Sequence, residues 1–203
     1  MTEGRVEQTA SARSLGRESV SFLEIGDTTR PPDLEQRLRE RGAELAETLA
    51  VLAVDLTHGV PDLGVPPDLE LRPVSTLEDL RAVDRIDVAV FGGEPADDEA
   101  LALSAARLDQ DNRVLALRSG VPVGTAGHVV AGDTLRLWGA AAVPEARHTG
   151  VYRGLLDHRL RAGVEAGCRM ALVKGRVETS APVLIKAGFR QYGEVRAYRL
   201  AGG

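Results

Sequence analysis

A chain of 203 residues has room for one ordinary domain with an extension, or two small ones, and excludes a large multidomain enzyme. Hydrophobic residues at 43% and charged residues at 27% describe a globular chain, not a disordered one. A net charge of −5 and only 3% aromatic residues argue against nucleic acid as a partner, because both a basic footprint and a stacking platform are missing.

No apolar stretch is long enough to cross a membrane, and the polar start, Met1 to Ser21, lacks the apolar centre of a secretory signal. The single cysteine, Cys168, excludes an internal disulfide, and the scattered His58, His128, His148 and His158 do not make a metal site. The expected location is a reducing cytoplasm. Arg outnumbers Lys 23 to 2, which fills the chain with groups suited to gripping phosphate bidentately.

In chain order, residues 1–18 are polar, and residues 19–25 alternate as a strand. Asp33 is placed to cap a short polar helix from Leu34 to about Gly42, whose Glu35, Arg37, Arg39 and Glu40 read as a solvated face. Residues 49–56 form an apolar run read as a buried strand. Residues 59–67 carry Pro61, Pro66 and Pro67 and form the clearest linker, since proline disfavours both helix and central strand. The chain thus divides into a strand–helix–strand extension with its linker (1–66) and a main domain (67–203). Three such elements bury too little to fold alone. Docking on the main sheet, or on a second copy of the chain in a homodimer, would solve that.

The main domain opens with a strand at 69–74. Thr76 then caps a helix with Glu78 and Asp79 in its first turn, where the macrodipole favours acids, and the helix runs to Phe91-Gly92-Gly93. A second helix is expected at about 97–109. Three strands follow at 113–118, 121–130 and 134–143, with hairpin turns at Ser119-Gly120 and 131–133. From Gly150 the apolar residues fall at helical spacing (Val151, Leu155, Leu156, Leu160, Val164) until Gly167. A strand at 170–173, a helix at 180–186 and two strands around Gly193 close the chain. The order β-α-α-β-β-β-α-β-α-β-β is a mixed α/β plan of the α+β type.

Residues 139–156 carry the chemistry. A strand ends in small residues at Val143-Pro144, a short loop follows, and a helix opens at Gly150. N–H groups at a helix start lack intrahelical acceptors and sit at the positive end of the macrodipole, so such a turn can seat a pyrophosphate. Gly150 lets backbone approach the ligand, and Arg147 and Arg153 add charge-assisted hydrogen bonds. Arg-x-x-Gly alone is weak in a chain this rich in both residues. Spacing by itself serves equally for a plain strand–loop–helix connection with surface arginines.

In element order and in two motifs, residues 69–200 resemble the GNAT superfamily of acyl-CoA N-acyltransferases. Residues 142–152, Ala-Val-Pro-Glu-Ala-Arg-His-Thr-Gly-Val-Tyr, are similar to its acetyl-CoA segment, Gln/Arg-x-x-Gly-x-Gly/Ala. Residues 179–189, Thr-Ser-Ala-Pro-Val-Leu-Ile-Lys-Ala-Gly-Phe, are similar to its helix ending in Gly-Phe. The resemblance implies a GNAT-like fold with an N-terminal extension. It also implies transfer of acetyl from acetyl-CoA to a primary amine of a small molecule or peptide, by direct attack in a ternary complex. On it, Ala141, Ala142 and Val143 splay from strand 170–173 to meet the pantetheine arm. Backbone N–H groups of His148, Thr149, Gly150, Val151, Tyr152 and Arg153 cradle the pyrophosphate with Arg147, and an N–H near Val143 polarises the thioester carbonyl. Three positions depart from the pattern. Tyr152 stands where Gly or Ala is usual, Leu184 where many members have a Tyr that protonates the leaving thiolate, and Val177 where many have an Asn. The last two keep a second reading open, a CoA-binding sensor or scaffold of weak activity.

His128, in mid-strand, is a candidate base with a pKa near neutrality, although an exposed or internally satisfied strand His is commoner. Glu94, beside Gly92-Gly93, is a candidate for binding a cationic amine, against the plainer reading of a solvated loop acid. Trp138, the single Trp, is read as packing ahead of substrate contact, and Cys168 as an inert buried thiol.

Overall fold

The computed structural model describes residues 22–106, 108 and 112–200. Its strands are β1 (Phe22–Gly26), β2 (Glu44–Asp55), β3 (Leu69–Pro73), β4 (Asn112–Arg118), β5 (Val121–Ala131), β6 (Thr134–Ala142), β7 (Met170–Arg176) and β8 (Arg190–Arg199). Its helices are α1 (Leu34–Glu40), α2 (Leu77–Phe91), α3 (Asp98–Ala105), α4 (Val151–Glu165) and α5 (Ser180–Lys186). Residues 1–18, residues 19–21 of the first expected strand, and 107 and 109 of the expected second helix lie outside the described residues.

The strands form one mixed sheet in the order β1-β8-β2-β7-β6-β5-β4-β3. One pair, β6 and β7, is parallel, and α4 crosses between them. The N-terminal segment is built into this sheet: β2 pairs with β7 on one side and β8 on the other, and β1 adds the edge beyond β8. Alternation decides the layers. Leu135 and Leu137 of β6, Ala171 and Val173 of β7, and Ala50 and Leu52 of β2 meet Leu156 and Leu160 of α4 and Leu184 of α5. On the opposite face, Leu115, Leu117 and Ala141 meet Leu80, Val83 and Ile86 of α2.

Local chemistry explains the helix starts. Thr76 Oγ1 accepts from Asp79 N–H at 3.1 Å, and the Asp79 carboxylate accepts from the N–H groups of Thr76 (3.1 Å) and Ser75 (3.0 Å), which is a complete capping box. Asp97 caps α3 through Ala100 N–H at 2.9 Å. At Asp33 the expectation is corrected: its carboxylate pairs with Arg37 and makes no cap hydrogen bond.

The chain end is also corrected. In place of two strands around Gly193 there is one continuous strand, β8, because β2 runs beside it without a break. The register steps from Val51↔Gly193 to Leu52↔Gln191, so Tyr192 is the extra residue of a bulge, and the ladder resumes beyond it.

The linker does more than connect. It climbs the outer face of α4, with Val60 and Val65 packed on the core and Arg153 Nη1 donating to the Leu63 carbonyl at 3.1 Å.

Burial pushes the Asp79 carboxyl up, but hydrogen bonds from Arg72, Ser75 and Thr76 outweigh it and hold the group at about 2, below the ordinary 3.8. A carboxyl depressed on folding stabilises above its unfolded pKa and loses that contribution as pH falls through the folded one. Asp79→Ala should therefore cost about 2 kcal/mol at neutral pH, and in urea unfolding its deficit should shrink as pH drops from about 4 to about 2. A deficit constant across that window would show that the carboxylate's charge is not what the capping box uses.

Candidate functional site

β6 and β7 pair from Thr134↔Met170 to Leu137↔Val173, and there the ladder stops while both strands continue. A bulge accounts for the parting. β6 pairs Trp138 with Gly127 and Ala141 with Thr125, so Gly139 and Ala140 oppose the single Ala126. Gly139 has φ +60, a hand open to glycine without penalty, and the extra residue turns the end of β6 away from β7.

The bulge is held from below by Arg159, which is 1% exposed. Its Nη1 donates to the carbonyls of Gly127 (3.1 Å) and Trp138 (3.5 Å), the facing pair at the bulge, and its Nε to Leu155 at 2.9 Å. Burial lowers this guanidinium to about 10, so it stays charged at neutral pH.

At the upper end of the splay, a 3₁₀ turn (Pro144–Ala146) leads into a loop where His148 (φ +62) and Gly150 (φ +91) are both left-handed. Thr149 ties it down, its hydroxyl donating to Ala146 C=O at 2.7 Å and its carbonyl accepting from Arg118 Nη2 at 3.1 Å. Arg118 is a supporting residue that no local pattern reveals, because it comes from the end of β4. α4 then begins with neither a capping side chain nor an acid in its first turn. The positive end of its dipole is uncompensated, unlike that of α2.

Several expected roles are redistributed. Val143 N–H donates to Val123 C=O at 3.0 Å, so it is not a free donor to the splay. Neighbouring residues of a strand point their N–H groups to opposite edges, so the donor facing the departed β7 is Ala142. Arg153 is engaged by the linker, while Arg147 and His148 are exposed. Gly150 is required by its hand and by packing: a Cβ there would lie 2.4 Å from Pro66 Cγ. Tyr152 turns inward and packs on the core cluster of Leu137, Val173 and Leu184.

His128 and Glu94 are not brought together. Burial first, then Arg159 and His158, lower the His128 imidazole to about 4, and its Nδ1 is buried without a partner. Those neighbours place it on the α4 face. Glu94 is exposed beyond the end of α2, on the other side of the sheet. Trp138, at the foot of the splay, faces away from α4, with the Arg113 guanidinium 4.7 Å over its ring. Beside Val143 lies a shallow cleft of about 260 Å³ between Ala82, Arg85 and Ile86 of α2 and Val121 and Pro122 of β5. Cys168 is buried, and burial raises its thiol pKa.

If Arg159 carries the bulge, Arg159→Met should cost about 3 kcal/mol, because it strands buried carbonyls. Arg85→Met, which breaks an exposed ion pair with Glu78, should cost under about 1 kcal/mol. Chemical denaturation of both variants tests this, and equal costs would remove Arg159 from its supporting role.

No family model and no curated protein matches the sequence. Solved structures do match the fold. A GCN5-related N-acetyltransferase from Sphaerobacter thermophilus superposes with a TM-score of 0.68 at 19% identity, over 89% of this chain and 59% of its own. One from Kribbella flavida gives 0.62 at 19%, over 90% and 68%. A putative GNAT-family acetyltransferase from Novosphingobium aromaticivorans gives 0.59 at 13%, over 91% and 75%. This chain thus spans about three-fifths of the first of these proteins. With its bulged sixth strand, parted parallel pair and uncapped α4, the chain has the fold of the GCN5-related N-acetyltransferases.

Proposed function

We propose that the protein transfers an acetyl group from acetyl-CoA to a primary amine. The observation that carries this is the parting of β6 from β7 directly below a loop and helix start free of capping side chains. The residues present suit such a ligand. The N–H groups of residues 148–153 and the exposed Arg147 would hold its pyrophosphate, in a turn of left-handed residues of the kind that gathers N–H groups around an anion. The free edge of β6 at Ala141 and Ala142 would hold its arm. When bound, acetyl-CoA supplies an activated acyl carbon.

The chain's own part is placement and polarisation. Ala142 N–H is aimed where negative charge develops on the carbonyl oxygen, in the role first expected of Val143. The acceptor enters from the α2 side, past Val143 and the cleft beside it. Glu94 lies on that side and would draw a cationic amine toward the opening. His128 takes no part, since it faces α4.

Calorimetry with CoA, followed by thiol release from acetyl-CoA over a panel of amines, tests the reading. Binding with turnover on at least one amine is the expected result. Binding without turnover on any amine would indicate a sensor or scaffold, and no binding would end the proposal. Arg147→Ala should weaken CoA binding about tenfold. Ala142→Pro removes only an N–H that β5 does not use, so it should leave the fold intact while lowering turnover about a hundredfold.

A further inference from the structure

Past the last ladder pair, Leu137↔Val173, both strands run on and border the opening. Val173 packs toward α4, and Gly175 lies against Ala181 and Leu184 of α5. By alternation Lys174 and Arg176 point to the α2 side, as Ala141 does on β6. Arg176 is three residues beyond the last pair on β7. Ala141 is four beyond on β6, one of them the extra residue of the bulge, so the two stand level across the gap. A contact supports this placement. The Arg176 guanidinium lies 5.9 Å from the centre of the Phe91 ring at the end of α2, and Phe91 packs on the same cluster as Ala141. The guanidinium is also anchored from the other side. Its Nε donates to Glu47 of β2 at 2.6 Å, and β2 is the neighbour of β7 away from the gap. Among the described residues its two Nη groups make no protein hydrogen bond. A planar cation set over a ring and tied at one nitrogen keeps the end of its fork for an incoming carboxylate.

We infer that the acceptor is a free amino acid, whose amine meets the acyl carbon beside Ala142 while Arg176 holds its carboxylate. This rests on the acetyl-transfer reading above. An α-amino acid carries both charged groups on one carbon, so an amine in the gap brings its carboxylate to one of the two bordering strands. At that level β6 offers only the small side chains of Ala140, Ala141 and Ala142, whereas β7 offers Arg176. The other cations on this side are already paired with carboxylates, Lys174 with Glu24 and Arg113 with Asp87. Arg176 is paired as well, but Glu47 takes its Nε and leaves the fork end. The Phe91 ring, and Trp138 at the foot of the opening, give the rest of the amino acid apolar surface to lie on. Arg176 is thus a specificity residue: it chooses the amine by the charge attached beside it.

The test offers each standard amino acid in three forms, as the free acid, as its amide and as the decarboxylated amine, with acetyl-CoA as donor. For the best skeleton, wild type should favour the acid over the amide about thirtyfold in kcat/KM. Arg176→Gln should bring that ratio to about one by raising KM for the acid, with kcat/KM for the amide and CoA binding by calorimetry unchanged. Arg176→Glu should reverse the preference, and Arg176→Lys, which keeps the charge without the fork, should retain part of it. Because the pair with Glu47 is exposed, these variants should unfold at nearly the wild-type denaturant concentration. A dipeptide amide beginning with Asp, which carries its carboxylate on the side chain, should be a poorer acceptor than the best free acid. Turnover confined to amines without a carboxylate, a better rate with the dipeptide, or an Arg176→Gln loss equal for all three forms would overturn this inference and leave acetyl transfer standing. Failure of wild type to bind CoA, or binding without turnover on any amine, would overturn the acetyl-transfer reading and the inference with it.

Discussion

One extra residue in β6 governs the rest of the molecule. Where Gly139 and Ala140 face the single Ala126, the strand twists away from β7, and backbone that would have been spent in a parallel ladder is left open at an edge. Such an irregularity is costly unless something satisfies the groups it disturbs. Arg159 does so by reaching from α4 to both carbonyls of the facing pair, Gly127 and Trp138. A buried charge that no carboxylate pairs with among the described residues is thus the support on which the opening stands, and it costs burial energy that the surrounding packing must offset.

The N-terminal segment completes the same construction from the other side. By inserting between β7 and β8, β2 satisfies the edge of β7 that faces away from the splay, so the opening is confined to one side of that strand. The linker that follows crosses α4, where Pro66 lies against Gly150 and Leu63 accepts from Arg153. The segment therefore packs against the first turn of α4 with backbone that its prolines restrict. The start of α4 keeps its positive end because no side chain caps it, while α2 is capped twice over.

Much of the architecture is legible from residue order. The alternation at 121–130 and 134–143, the 3.6-residue spacing after Gly150 and the Thr76 cap each reflect contacts a few residues apart, and these elements form close to where they are expected. The continuous β8 is not legible in this way, because a glycine at a bulge and a glycine at a turn look alike in one dimension; only β2 running alongside tells them apart. Asp33 escapes local reading for a similar reason, since Arg37 one turn later competes for its carboxylate.

The candidate site is legible as a segment but not as an arrangement. The order of residues determines that 139–156 is a strand, a loop and a helix start, because local hydrogen bonding and hydrophobic period act over short distances. Which N–H is free depends on strand partners: Val143 is bound to Val123, twenty residues away, and that leaves Ala142. His128 and Glu94 are separate candidates by residue type, and they stand on opposite sides of the sheet, whose two faces alternation along one strand cannot name. Tyr152 and Arg159 share one side of α4 by the helical period alone, but their burial comes only when α4 settles on the sheet, since burial is a property of the packed molecule and not of the chain that enters it.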